Sequence, residues 1–174
     1  MGFKSETVCK GLFLQLVMFI LCANTDNMVT GSDTCKLKRV WFFQNVINIL
    51  TIQPLDSGRI VVQPTDYESN STQYFRIECG SKPGLFYLVH NVTGKVLDIE
   101  RVSPHHVILA SIDESLWQQW SVESTSLRVT NAATMLVLAI EDSNFVPGAG
   151  VVVETQSAEI TPNQMWIVED YEDE

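Results

Sequence analysis

Between residues 98 and 117 the chain carries a carboxylate, two imidazoles and an indole: Asp98, His105, His106 and Trp117. A carboxylate accepts hydrogen bonds from hydroxyl groups, and an indole face packs on apolar C–H surface. Together they suit a ligand that offers both. Adjacent histidines on a strand point to opposite faces, and no third ligand stands at a useful spacing, so no metal is expected. The sequence contains no G-x-S-x-G, no H-E-x-x-H and no phosphate-binding glycine loop, the signatures of common hydrolases and nucleotide enzymes. Its acids fall mostly in loops and at strand ends, where solvated charge belongs. The expectation is a binding protein with no catalytic residues and no cofactor.

The rest of the chain bounds what such a site binds. A net charge of −10 over 174 residues, with a pI near 4.6, argues against nucleic acid and against anionic membrane surfaces, because both demand a positive footprint. Apolar residues make up 45% and charged residues 18%, which describes a folding chain rather than a disordered one. Lys4 and Lys10 precede the apolar run GLFLQLVMFILCA, 13 residues ending at Ala23, and polar residues follow at once. A transmembrane anchor needs about 20 apolar residues. The run therefore reads as a signal peptide over residues 1–23, cleaved on secretion, leaving no membrane span. Residues 24–38 form an N-terminal segment, and residues 171–174 an acidic tail.

In an oxidising compartment the two remaining cysteines, Cys35 and Cys79, are expected to form one disulfide; a thiol nucleophile is the alternative. Asn70-Ser71-Thr72 and Asn91-Val92-Thr93 are acceptor sequons for glycans at Asn70 and Asn91.

The part that positions the candidate residues is a threefold repeat. QYFRIE from Gln73, QQWSVE from Gln118 and QMWIVE from Gln164 end three segments spaced by 45 and 46 residues. Before them lie NILTIQ from Asn48, KVLDIE from Lys95 and LVLAIE from Leu136. Still earlier come three Asn-terminated runs at Asn45, Asn91 and Asn131. Each repeat reads as four short runs of β-branched and aromatic residues separated by Gly and Pro breakers, with Thr93-Gly94 as a tight hairpin turn. Twelve strands at this spacing predict an all-β, barrel-like domain over residues 39–170, its repeats at about 40–78, 86–123 and 126–169.

Gln118-Gln119-Trp120 and Gln164-Met165-Trp166 are full Q-x-W motifs, and Gln73-Tyr74-Phe75 carries Phe for Trp. In this the sequence resembles the ricin B-chain-like (Q-x-W)3 β-trefoil lectin family. The resemblance implies twelve strands in three pseudo-threefold repeats. It also implies that Phe75, Trp120 and Trp166 fill a shared core and that Gln73, Gln118 and Gln164 satisfy buried backbone groups.

A sugar site in this family uses an Asp in the second strand of a repeat, an aromatic platform in the third, and an Asn before the motif Gln. Repeat two has Asp98, but no ring in its third strand and Trp117 where the Asn belongs. Repeat three has Asn163, but Ala139 for the Asp. Repeat one has Thr51 and Thr72 at the two positions. No set is complete, so the resemblance implies a secreted lectin-like protein with degenerate sites. Asp98, His105, His106 and Trp117 of repeat two are the best candidates, and a glycan or glycoprotein is the partner. A secreted protein-binding trefoil, such as a protease inhibitor or cytokine-like ligand, is the alternative and would engage a secreted protein.

Overall fold

The computed structural model describes residues 40–45, 50–66, 71–101, 105–123 and 125–171. They form twelve strands and three single-turn 3-10 segments, with no α-helix among the described residues. The strands are β1 (Val40–Asn45), β2 (Leu50–Pro54), β3 (Ile60–Pro64), β4 (Phe75–Cys79), β5 (Phe86–His90), β6 (Val96–Ile99), β7 (Val107–Ala110), β8 (Trp120–Glu123), β9 (Arg128–Asn131), β10 (Val137–Ile140), β11 (Val151–Glu154) and β12 (Trp166–Tyr171). Short runs of Val, Ile, Leu and aromatics suit a pleated, half-buried surface, and breakers keep each run to four to six residues.

The first and fourth strands of each repeat make a closed barrel. β1 pairs with β12 and β4, β4 with β5, β5 with β8, and β8 with β9, all antiparallel. The last seam is the bond from Trp166 N–H to the Leu127 carbonyl beside β9. Closure removes the exposed edges that an open sheet would present. The three inner hairpins, β2–β3, β6–β7 and β10–β11, cap one end. They are tied in a ring: Val62 N–H donates to Ala149 O at 2.9 Å, Leu109 N–H to Gly58 O at 2.7 Å and Val153 N–H to His105 O at 3.1 Å. Isolated bridges repeat the pattern at Arg59–Ile108, His106–Val152 and Val61–Gly150. Arg59, His106 and Gly150 are therefore equivalent residues around a pseudo-threefold axis, as are Val61, Ile108 and Val152. This is a β-trefoil.

Phe75, Trp120 and Trp166 are fully buried. The indole N–H of Trp120 donates to Leu97 O at 3.1 Å and that of Trp166 to Leu138 O at 2.9 Å. Each indole thus packs in the core and satisfies its one polar group there. Phe75 brings no donor.

The register corrects two alignments drawn from the sequence. Opposite the core aromatics stand Asn45 (Trp166), His90 (Phe75) and Asn131 (Trp120). The repeat-two member of this set is His90, not Asn91, which is exposed in the following turn. In repeat one, Gln53 pairs with Val61 as Asp98 pairs with Ile108 and Ala139 with Val152. The equivalent of Asp98 is therefore Gln53, two residues beyond Thr51. A two-residue slip along a strand keeps every side chain on the same face, so hydrophobic alternation cannot detect it.

The β5–β6 turn closes with Gly94 N–H on His90 O, and the β9–β10 turn closes with Met135 N–H on Asn131 O, both at 2.9 Å. Gly94 has φ 69° and Met135, at the same turn position, φ 59°. A left-handed backbone is costly for Met and free for Gly. Met135, 69% exposed, contributes little packing there. Met135→Gly is expected to stabilise the protein by about 0.5–1 kcal/mol, seen as a higher urea midpoint. A drop would show that the Met side chain packs on the surface more than its exposure indicates.

Candidate functional site

Each motif glutamine clamps the loop between the third and fourth strands of its repeat. Gln73 Oε1 accepts from Asp66 N–H at 2.8 Å, and its Nε2 donates to Pro64 O at 2.8 Å and to Gln53 Oε1 at 3.0 Å. Gln118 Oε1 accepts from Asp113 N–H at 2.8 Å, and its Nε2 donates to Ser111 O at 2.8 Å and Asp98 Oδ2 at 3.0 Å. Gln164 Oε1 accepts from Ser157 N–H at 3.2 Å, and its Nε2 donates to Thr155 O at 3.1 Å and Glu154 Oε2 at 3.4 Å. A primary amide both donates and accepts from one planar head. In repeats two and three the Gln also ends a 3-10 turn, Leu116–Gln118 or Pro162–Gln164, that delivers it to the strand.

Asp98 is only 2% exposed. Besides Gln118, its carboxylate accepts from Ile99 N–H at 2.7 Å and from Arg101 Nη1 at 2.8 Å, both on Oδ1. Arg101 Nη1 also donates to Ile99 O at 2.9 Å, and Nη2 lies 3.8 Å from Asp113 Oδ2. The guanidinium stands over the half-buried Trp117 ring, 4.9 Å from its centroid, a cation–π arrangement. Hydrogen bonding from Ser115 holds the Asp113 carboxyl below its usual pKa. Asp98 and Trp117 are thus brought together, with Arg101 between them and Asp113 at the edge.

His106 looks elsewhere, toward the barrel cap. Its Nε2 lies 3.4 Å from Glu141 Oε1 and its Nδ1 3.4 Å from Glu100 Oε2. Arg59 Nη2 completes this second network with a 3.0 Å bond to Glu141 Oε2. His105 turns its carbonyl to Val153, and its Nδ1 is buried without a partner among the described residues. The four sequence candidates therefore fall into three environments: Asp98 with Trp117, His106 at the cap, and His105 apart from both. Alternation alone places His106 on the face of Asp98, but a hairpin end can reach a neighbouring repeat, and that contact is tertiary. Sequence reasoning misses Arg101, Asp113, Gln53 and Arg59; the arginine three residues after Asp98 was the available signal.

In repeat three, Asn163 Nδ2 donates to Glu154 Oε2 at 3.1 Å, so this buried Asn is held by its own repeat. Cys79 ends β4, whereas Cys35, Asn70, the leader, the 24–38 segment and residues 172–174 of the tail lie outside the described residues. No helix among the described residues is long and apolar enough to cross a membrane.

His90 takes the place of Asn45 and Asn131. Asn45 Nδ2 donates to Pro162 O and Met165 O, and Asn131 Nδ2 to Trp117 O. His90 Nε2 is 2.8 Å from Thr72 O and must donate to it, and in the neutral imidazole Nδ1 accepts from the Thr93 hydroxyl at 2.9 Å. Burial pushes its pKa below the ordinary 6.5, against an opposing effect of the Thr72 carbonyl. The unfolded chain then binds a proton that the folded chain does not. The neutral-His contribution is complete above about 6.5 and is lost as pH falls through the interval between the unfolded and folded values. His90→Asn, which restores the residue of the other repeats, is expected to flatten the decline of stability between pH 7 and pH 5, read by urea unfolding. Parallel wild-type and variant slopes would contradict the neutral assignment.

The architecture and the loop-clamping glutamines define the class: a β-trefoil built on Q-x-W units. Residues 71–154 match the model of the family described as ricin-type beta-trefoil lectin domain-like, and the resemblance to that family rests there. No curated protein matches the chain. Among solved structures, a designed threefold-symmetric protein, ThreeFoil, is 19% identical with a TM-score of 0.64, covering 74% of this chain and 96% of its own. The C-half of the earthworm R-type lectin, solved with GalNAc, is 16% identical with a TM-score of 0.58, covering 76% and 98%. A GH43 β-1,3-galactosidase is 13% identical with a TM-score of 0.58, covering 74% of this chain but only 26% of the enzyme.

Proposed function

We propose that the protein is a secreted, non-catalytic carbohydrate-binding protein of the ricin-type lectin kind, in which repeat two keeps the working contact and the other repeats have lost theirs. The observation that carries this reading is the Trp117–Arg101–Asp98 stack. A half-exposed indole sits at the family's sugar position, with a guanidinium over it that is anchored by a buried carboxylate. Arg101 and the exposed Asp113 supply a donor and an acceptor for adjacent hydroxyls, and the part of the Trp117 ring that Arg101 leaves uncovered supplies the surface for the C–H face of a pyranose. The two acids and one arginine leave no positive excess, which favours a neutral sugar. At the position of Asp98, repeats one and three offer Gln53 and Ala139, and Ala139 can accept nothing from a hydroxyl. The family match at residues 71–154 and the lectin neighbours support the same reading.

A glycan array of wild type against Trp117→Ala tests it. The variant is expected to lose at least about tenfold in affinity, about 1.4 kcal/mol, with an unchanged melting temperature. A wild-type protein that retains no glycan, or a variant that binds as well, would reject the site. Secretion, a Cys35–Cys79 disulfide and a glycan on Asn91, whose turn is exposed, complete the proposal; intact-mass measurement of the secreted chain before and after reduction and deglycosylation checks them. A second reading, a protein-binding trefoil, is favoured by the exposed apolar side chains Leu55 and Val146 near the barrel cap.

A further inference from the structure

The hairpins of repeats one and three enclose a pocket of about 350 Å3 beside the pseudo-threefold axis. Arg59, Glu141 and Asp142 supply its charge, and Leu55, Val61 and Ala149 its apolar wall. It exists because the three axial positions are unequal. Repeat one places Arg59 there, repeat two His106 and repeat three Gly150, which has no side chain. A Cβ on Gly150 would stand 2.3 Å from Glu141 Oε2 and 2.8 Å from Arg59 Nη2. The Arg59–Glu141 pair fills the space that a third side chain would have taken.

We propose that this pocket receives a basic side chain, lysine or arginine, of a protein partner. Glu141 is already neutralised by Arg59, at 3.0 Å. Asp142 is exposed and makes no hydrogen bond or ion pair among the described residues, so the pocket keeps one uncompensated negative charge. Leu55, in the wall, and Val146, in the loop beside it, are 43% and 49% exposed. A charged head with an aliphatic stem matches a carboxylate set among apolar groups, because lysine and arginine bury their methylenes while the head stays paired. The net charge of −10 would draw a basic partner toward the surface. The pocket is at the cap, made by repeats one and three, and so is independent of the sugar contact proposed in repeat two.

The test is a 1H–15N titration of the full chain with N-acetyl-arginine amide, alongside the neutral isostere N-acetyl-citrulline amide and methyl β-galactoside. The arginine probe is expected to shift the amides of Asn144, Gly148, Ala149 and Gly150, and citrulline to leave them in place. Asp142→Asn, a surface change that leaves the fold intact by its unfolding midpoint, is expected to weaken the arginine probe about fivefold, close to 1 kcal/mol. Glu141 keeps its ion pair in that variant, so a loss reports Asp142 alone. Equal shifts with citrulline, shifts with the galactoside instead, no shift with arginine, or unchanged affinity in Asp142→Asn would each overturn the proposal. The repeat-two resonances report separately on the sugar contact.

Discussion

Replacing Trp120 with alanine is expected to cost about 3–5 kcal/mol, a large share of the ~5–15 kcal/mol that holds a domain of this size folded. The indole is fully buried at the meeting point of the repeats, and its N–H satisfies the Leu97 carbonyl. Removing it empties a volume that closed strands cannot collapse into and orphans that carbonyl at the same time. Trp166→Ala should behave alike, since its indole does the same for Leu138. Trp120→Phe separates the two effects: repeat one already carries Phe75 at this position, so the ring is tolerated. The expected loss is about 1–2 kcal/mol, from the missing bond and a smaller ring. Urea unfolding of the three variants gives the order, and a Trp120→Ala loss under about 1 kcal/mol would mean that the ring is not the core element described.

The second large effect concerns Asp98. Asp98→Ala is expected to cost about 2–4 kcal/mol, because one buried carboxylate serves three donors: Gln118 Nε2, Ile99 N–H and Arg101. Gln118 retains Ser111 O and Arg101 retains Ile99 O, but the buried Ile99 N–H loses its acceptor and the guanidinium its charged partner. Asp98→Asn keeps an oxygen toward Ile99 and Arg101 but turns an N–H2 group toward the donor Gln118 Nε2, and should cost about 1–2 kcal/mol. Denaturation curves of the two variants decide the matter; an alanine variant as stable as wild type would contradict the structural role of the carboxylate. The consequence for function is direct. Loss of glycan binding in Asp98→Ala would report a disturbed β6–β7 hairpin as much as a missing sugar contact, whereas Trp117 and Asp113 can be changed without that cost.

The trefoil is legible in the sequence because Q-x-W is a chemical requirement. The Gln amide both donates to and accepts from the loop that it closes, and a large ring fills the shared core. Three such pairs at near-equal spacing leave little else to build. Strand register is legible only where a residue breaks the alternation. His90 beside Asn91, and Thr51 against Gln53, carry no such mark, and their placement follows from backbone pairing and from the Gln73–Gln53 bond. Of the candidate site, Asp98 and Trp117 could be picked out, because both replace or repeat a residue type at a motif position. Arg101 sits between them through loop geometry after β6. The union of Arg59, Glu141 and His106 crosses all three repeats, and no local pattern announces a contact over 82 residues.

The proposed site depends most on Trp117 being the tryptophan that meets a ligand. The chain has four tryptophans, and their indole N–H resonances can be followed one by one in a uniformly 15N-labelled sample during titration with the glycan that the array selects. The expected result is a saturable shift of the Trp117 indole and the Arg101 side chain, while the buried Trp120 and Trp166 indoles, bonded to Leu97 and Leu138, stay in place. A glycan that binds while the Trp117 indole remains unmoved would contradict the account.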